Sequence, residues 1–305
     1  MTTFKKHLTF KSSIVLGLVL ATSVLTSCNN DDDIPEVTSK TIVQLVVEDP
    51  NFSFLEAAVV KADLVAALSA DGPFTVFAPT NDAFIAAGFA NEAEVSAASK
   101  ETLTAILTYH VLESNTLAAD IPTATNTQIE TMNTASVFVT KNNNGVFVNG
   151  STVLQADVRA SNGVIHVINK VLMPATGNIV EAAQGNPNLS FLVAAVLKAD
   201  LATTLSGTGP FTVFAPTNDA FIAAGFASEA AVTAATKEVL TPILTYHVVS
   251  GRVFSTDLTD GATPATVNGA NVTITLTGGA KVKGIGNSTA ENIAITNMVT
   301  TNGVV

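Results

Sequence analysis

The sequence predicts two α+β domains in tandem, and two observations lead to this fold class. First, the stretch Asn51–His110 returns as Asn188–His247, and its centre, Gly72–Ala90, recurs without a change at Gly209–Ala227. The offset of about 137 residues matches a whole domain of roughly 100–150 residues and exceeds the roughly 20–50 residues of a solenoid repeat. Second, each copy passes from helical apolar spacing to β-branched alternation, which predicts a helical front half and a stranded back half.

The front half of each copy is predicted to be mainly helical. Runs rich in Ala and Leu carry apolar residues at three- and four-residue spacing. Asp71-Gly72-Pro73 breaks the first of these helices, and Thr80 or Asn81 can cap the helix that follows the next strand. The predicted elements of the first copy are a helix through Phe54–Leu64, a strand at Phe74–Phe77 and helices at Ala83–Ala87 and Lys100–Tyr109.

The back half is predicted to be stranded. Asn149-Gly150 and Asn162-Gly163 are hairpin dipeptides that separate β-branched and aromatic runs. The predicted strands are Ser136–Thr140, Val146–Val148 and Val164–Val171. The second copy is expected to repeat this plan, with an insertion of about three residues near Ala290–Asn292.

Composition excludes some classes of protein. The chain is 47% hydrophobic and 13% charged, which is typical of a folded protein rather than a disordered one. Its formal net charge is −11, and an acidic surface repels phosphate backbones, so no nucleic-acid partner is expected. Anionic lipid would also repel it, so a lipid anchor would have to supply any contact with a membrane.

Residues 1–27 are predicted to be a signal peptide. Lysines precede an apolar run, Ile14–Leu25, that is shorter than the about 20 residues of a membrane span. The segment Leu25–Cys28 then resembles the cleavage box of bacterial lipoproteins, in which the cysteine is lipidated. Cys28 is the single Cys of the chain, so no internal disulfide is expected. The alternative is an ordinary secretory signal with an incidental Cys.

Residues 28–38 are predicted to be a polar, acidic tether. The run Asn29–Asp33 resembles the signal that exports lipoproteins of Bacteroidetes-type bacteria to the outer face of the outer membrane. The alternative interpretation is a solvated linker. The expected location is therefore the outer membrane, lipid-anchored and surface-exposed, with the periplasmic face as the alternative.

The two domains are predicted to cover residues 39–175 and 176–305. The first copy closes with the apolar stretch Val164–Pro174. The second copy reaches Asn302–Val305, and its counterpart of His166–Pro174 is missing from the sequence. We therefore expect the second domain to lack its C-terminal strand in this chain.

Three ordered motifs resemble the fasciclin domain. They are TVFAPTNDAF at Thr75–Phe84, the Tyr-His pair at a helix end, and NGVIHVINKVLMP at Asn162–Pro174. The second copy has the first two and the opening of the third. The resemblance covers nearly all of the chain after residue 39. It implies an α+β fold for each copy, in which a strand-built wedge or β-sandwich packs against several helices.

The resemblance also implies candidate binding residues. Cell attachment by animal fasciclin domains has been tied to the Tyr-His pair with its aliphatic neighbours and to an Asp-Ile pair before the closing strand. The Tyr-His pairs here are Tyr109-His110 and Tyr246-His247, and the second site matches Asp157-Val158. In the second copy this site falls on Asn297-Met298, so the carboxylate is absent.

Each candidate site has an alternative interpretation. The alternative for the Tyr-His pairs is buried side chains whose polar tips bond to backbone, since a histidine in an apolar context is more often part of the core than a ligand. The alternative for Asp157 is a carboxylate that caps a turn. One His at each such position is too few ligands for a metal site.

Catalysis is not expected. The thiol of Cys28 would be blocked by lipid, and no nucleophile motif lies near His110, His166 or His247. The glycines of Gly284–Ser288 lie among predicted strands, so this segment is interpreted as a turn and not as a phosphate-binding loop. We predict neither an enzyme nor a bound cofactor or metal.

Two functions therefore remain open. The first is adhesion, in which paired domains on the cell surface bind matrix, glycan or a cell-surface protein, and pairing raises avidity. The alternative is an accessory role in the envelope, either holding a small apolar ligand or supporting a surface complex. An apolar cleft of several hundred Å³ in each copy would favour the ligand alternative. A closed core with an exposed patch would favour adhesion.

Overall fold

The computed structural model describes residues 39–305, so the predicted signal peptide, Cys28 and the acidic run lie outside the described residues. The described residues belong to one compact unit, in which two α+β domains follow each other along the chain. Within this part of the protein no helix has the length and apolar character needed to cross a bilayer.

Six short helices form the front half of the first domain. They are α1 (Ile42–Glu48), α2 (Ser53–Lys61), α3 (Val65–Leu68), α4 (Asn81–Ala86), α5 (Glu92–Ala97) and α6 (Lys100–Tyr109). Thr80 caps α4 by accepting a hydrogen bond from the backbone N–H of Ala83, as its position predicted. Asn81 has a different role, because its side-chain oxygen accepts from the backbone N–H of Phe54 and so ties α4 to α2.

Seven strands form one sheet behind these helices. They are β1 (Phe74–Pro79), β2 (Val111–Leu112), β3 (Thr127–Glu130), β4 (Ser136–Asn142), β5 (Gly145–Val148), β6 (Ser151–Ala160) and β7 (Gly163–Ile168), in the spatial order β2-β1-β7-β6-β5-β4-β3. Strand β7 runs parallel to β1 and antiparallel to β6, so it joins the two ends of the sheet. The predicted strand Val164–Val171 ends three residues early, at Ile168.

Two hydrophobic clusters form the core of the first domain. One cluster joins the helices to β1 and β7 and contains Phe84, and the other fills the space between β1, β4 and β7 around Phe77 and Tyr109. The Asn149-Gly150 turn between β5 and β6 has positive φ at both residues, 49° and 72°, as a type I′ hairpin requires. The predicted wedge of strands packed against helices is therefore present.

The second domain repeats the helices of the first. They are α7 (Ile179–Gln184), α8 (Ser190–Lys198), α9 (Ala202–Ser206), α10 (Asn218–Ala223), α11 (Glu229–Ala234) and α12 (Lys237–Tyr246). Thr217 caps α10 through the N–H of Ala220, just as Thr80 caps α4. The repeated sequence therefore gives a repeated local structure.

The strands of the second domain do not repeat the first sheet, and this part of the prediction is wrong. The strands β8 (Phe211–Val213), β9 (Val248–Ser250), β13 (Val299–Thr300) and β14 (Gly303–Val304) form one sheet, and β10 (Thr273–Thr275), β11 (Lys281–Lys283) and β12 (Glu291–Asn292) form another. In the first domain all six residues of β7 pair with β1, and five of them also pair with β6. Its counterpart β14 pairs with β8 at only two positions, so it does not connect the hairpins to the rest of the domain.

Candidate binding surfaces

The side chain of Tyr109 is buried at the end of α6, with 1% of its surface exposed. Its hydroxyl donates a hydrogen bond to the carbonyl of Ser136 at 2.9 Å and accepts one from the side-chain amide of Asn149 at 2.8 Å. Burial raises the pKa of Tyr109, although the bond from Asn149 acts in the opposite direction. The hydroxyl thus joins α6 to β4 and to the β5–β6 turn.

The imidazole of His110 is also buried, with 2% of its surface exposed. Its Nδ1 lies 2.8 Å from the carbonyl of Ile106, and its Nε2 accepts a hydrogen bond from the backbone N–H of Leu172 at 2.8 Å. Burial lowers the pKa of His110 to about 4, so the ring is neutral near pH 7 and carries its proton on Nδ1. His110 therefore fastens the helix end to the segment after β7, and the geometry favours the interpretation of Tyr109-His110 as core residues.

Tyr246 and His247 are only half-buried in the second domain. The Tyr246 hydroxyl donates to the carbonyl of Asn271 and accepts from the N–H of Ile285, both at 2.8 Å. Ile285 belongs to the predicted turn Gly284–Ser288, which follows β11. Both aromatic side chains line a cleft of about 1010 Å³. In the first domain the corresponding side chains, Tyr109 and His110, are buried.

Asp157 lies on a bulge of β6, where its φ of 61° turns the carboxylate away from the sheet. The carboxylate accepts a hydrogen bond from the backbone N–H of Ala118 at 2.8 Å, and 37% of the side chain is exposed. It also lies 4.0 Å from Nδ1 of His166. Val158 is half-buried and packs against the helical core. Asp157 therefore caps a turn, as the alternative interpretation held, while it stays accessible to solvent.

Asn297 is the counterpart of Asp157, and both the oxygen and the nitrogen of its side-chain amide form hydrogen bonds. Its φ is 68°, and its side-chain oxygen accepts from the N–H of Ser255 at 2.7 Å, as Asp157 does from Ala118. Its Nδ2 donates to the hydroxyl of Ser255 at 2.9 Å and to the carbonyl of Gly150, in the first domain, at 3.3 Å. The second copy of this site is thus part of a contact between the two domains.

Sequence reasoning missed the residues that form this contact. The guanidinium of Arg252 lies over the ring of Phe138, and Phe254 packs against the same ring. Arg252 and Phe254 replace Asn115 and Leu117 of the first copy. The rest of the repeat is strongly retained, so these two differences between the copies could have pointed to the contact from the sequence.

An apolar groove of about 150 Å³ lies between the first helices of the first domain. Three of the side chains that line it are strongly exposed, namely Val47, Val60 and Val65. No group of three or more His, Asp or Glu side chains is placed to hold a metal ion within residues 39–305. The described polar side chains at the candidate sites instead bond to backbone.

Comparison with protein families identifies the two copies. The model of the fasciclin domain matches residues 50–174 and again residues 187–305. The chain belongs to the fasciclin domain family. The expectation drawn from the three sequence motifs is therefore confirmed, and the fold of the chain is that of two fasciclin domains in tandem.

Relatives with fasciclin domains occur in bacteria and in animals. Protein sll1483 of the cyanobacterium Synechocystis is 48% identical over 139 residues, which cover 45% of this chain and 75% of that protein. Human periostin is 28% identical over 236 residues, which cover 76% of this chain but only 27% of periostin. The fasciclin pair thus corresponds to about a quarter of that longer relative.

A solved structure also matches the tandem. It is a domain pair from fasciclin I, described as an insect cell adhesion molecule, with 17% sequence identity and a TM-score of 0.39. The match covers 82% of this chain and 92% of the solved one.

Proposed function

We propose that this protein is a lipid-anchored adhesion protein of the outer membrane, exposed at the cell surface. Its fasciclin domains would bind matrix, glycan or a cell-surface protein, without catalysis and without a cofactor. The observation that carries the proposal is the fasciclin match to both halves of the chain. The lipoprotein-like segment Leu25–Cys28 and the acidic run after it support the location.

The first domain supports adhesion rather than ligand storage. Tyr109 and His110 are buried in its core, and its apolar groove holds about 150 Å³. Exposed valines around that groove, together with the accessible carboxylate of Asp157, offer a surface for another macromolecule.

The small-ligand alternative has less support. An apolar cleft of several hundred Å³ in each copy would have favoured it, but the large cleft lies in the second domain and the groove of the first domain holds about 150 Å³. An accessory role that supports a surface complex stays open as the second candidate.

Substitution of Cys28 tests the anchor and the location. Cys28→Ala is expected to move the protein from the membrane fraction to the soluble fraction, because the thiol would be the site of lipidation. Protease added to intact cells is expected to remove the wild-type protein. If Cys28→Ala stays with the membrane, the anchor is wrong. If the wild type is cut only after lysis, the outward location is wrong.

Substitution of Asp157 tests the acidic site. Asp157→Asn is the matched change, because Asn297 already makes the same hydrogen bond to a backbone N–H in the second domain. Beads coated with residues 39–305 are expected to adhere to cells or matrix, and Asp157→Asn is expected to weaken adhesion by removing the charge while retaining the fold.

Circular dichroism of the variant provides the control for folding. Coated beads that adhere no better than uncoated beads would contradict the adhesion proposal and favour the accessory role. Adhesion that Asp157→Asn leaves unchanged would exclude Asp157 alone.

A further inference from the structure

The first domain carries an outward-facing aromatic side chain that the second domain covers. Phe138 lies on β4 between Val137 and Val139, which are fully buried in the core, so its ring points to the opposite face. Cζ of Arg252 lies 4.0 Å from the centroid of this ring, and the ring of Phe254 lies 6.3 Å from it. Arginine and aromatic side chains in such contacts are typical anchors of protein interfaces.

Arg252 is held in place before it meets the first domain. Its guanidinium donates hydrogen bonds to the carbonyls of Thr300 and Gly303, both in the second domain. Its own carbonyl accepts a hydrogen bond from the side-chain amide of Asn126 in the first domain. Because its side chain is already ordered, little conformational freedom is lost when it stacks on Phe138.

A second contact lies at the turn between β5 and β6. Gly150 approaches Asn297 so closely that a Cβ on the glycine would lie 2.3 Å from the amide nitrogen. That nitrogen donates to the carbonyl of Gly150. A carboxylate at this position has no proton to donate and would face a carbonyl oxygen, so the amide suits the contact and the Asp of the first copy does not.

The residues of the contact differ from their counterparts in the other copy. Each residue in the contact carries an aromatic ring, a guanidinium or an amide donor that its counterpart lacks. The counterparts, which take no part in the contact, are Asn115 for Arg252, Leu117 for Phe254, Asp157 for Asn297 and Thr273 for Phe138. Two copies of one domain have therefore become different at the faces that meet.

We propose that the outer face of β4 is a docking surface for the second domain, and that Phe138, Arg252 and Phe254 hold the two domains as one rigid body. Domains joined through small interfaces ordinarily move relative to each other. In a rigid pair, the surface around Asp157 of the first domain would be accessible. The corresponding surface of the second domain would not, because Asn297 lies in the contact between the domains. This inference concerns the pair itself and stands whether or not the protein is adhesive.

Rotational diffusion of residues 39–305 tests the proposal. In the wild type, ¹⁵N relaxation is expected to give one rotational correlation time for both domains. Phe138→Ala and Arg252→Ala are expected to give separate times, each falling toward the value of a single domain, about half that of the rigid pair. Small-angle X-ray scattering is expected to show a longer maximum dimension for both variants.

The repeat provides matched controls. Thr273→Ala and Asn115→Ala change the counterpart positions and are expected to behave as the wild type does. The two test substitutions lie in different domains, so if circular dichroism shows that one of them unfolds its domain, the other still decides the question. A wild type whose domains tumble independently, or folded variants that tumble as the wild type does, would overturn the proposal.

Discussion

Tyr109→Ala is expected to lower the free energy of unfolding of the first domain by about 3–5 kcal/mol, the usual cost of removing a buried aromatic ring. The loss has a second source, because the amide of Asn149 would lose its acceptor inside the core. Typical domains are stable by about 5–15 kcal/mol, so the variant would be close to unfolding at 37 °C. Urea denaturation followed by circular dichroism measures the change.

Tyr246→Ala is the matched control for this substitution. Tyr246 occupies the same helix position in the second domain but is only half-buried, so its removal is expected to cost less. Tyr109→Phe keeps the ring and is expected to cost about 1–3 kcal/mol through the two hydrogen bonds that the hydroxyl no longer makes. A Tyr109→Ala variant that loses no more stability than Tyr246→Ala would contradict the buried role. The first-domain tyrosine is a poor probe of adhesion for the same reason.

Acid is expected to destabilise the first domain through His110. Burial lowers the pKa of this imidazole from 6.5 to about 4 in the folded state. Between these values the unfolded chain takes up a proton that the folded domain excludes, so stability falls as the pH falls. The contribution is fully present above about pH 6.5 and is lost toward about pH 4, to a limit of about 3 kcal/mol.

Two histidine variants separate this effect from the titration of carboxylates. His110→Gln is expected to flatten the dependence of unfolding free energy on pH between 7 and 4, and His247→Gln is the matched variant in the second domain. If His110→Gln does not fold, the imidazole C–H chemical shifts of the wild type report the titration directly. A His110 that titrates near its ordinary pKa would contradict the prediction.

Local signals in the sequence predicted the helices and the hairpins well. Helix α6 has the predicted bounds Lys100–Tyr109, and Asn149-Gly150 forms the predicted hairpin turn. Both depend on residues within one or two turns of chain. The burial of Tyr109 could not be predicted in this way, because its partners Ser136 and Asn149 lie 27 and 40 residues further along the chain.

Features that depend on distant parts of the chain were not predicted. The alternation around Phe138 indicated only that this ring faces away from Val137 and Val139. Whether that face meets water or another domain depends on the placement of Arg252, more than a hundred residues later. The division of the second domain into two sheets likewise depends on the length of β14, since pairing at two positions does not bridge the sheet.

The contact between the domains also bears on self-association. It joins two different faces, and an interface of that kind builds a ring or an open filament when every unit carries both faces. The second domain has Thr273 where the first has the aromatic ring, so it offers no platform to the Arg252 of another molecule. Growth through this interface therefore stops after one step, so neighbouring copies of the chain do not polymerise through it.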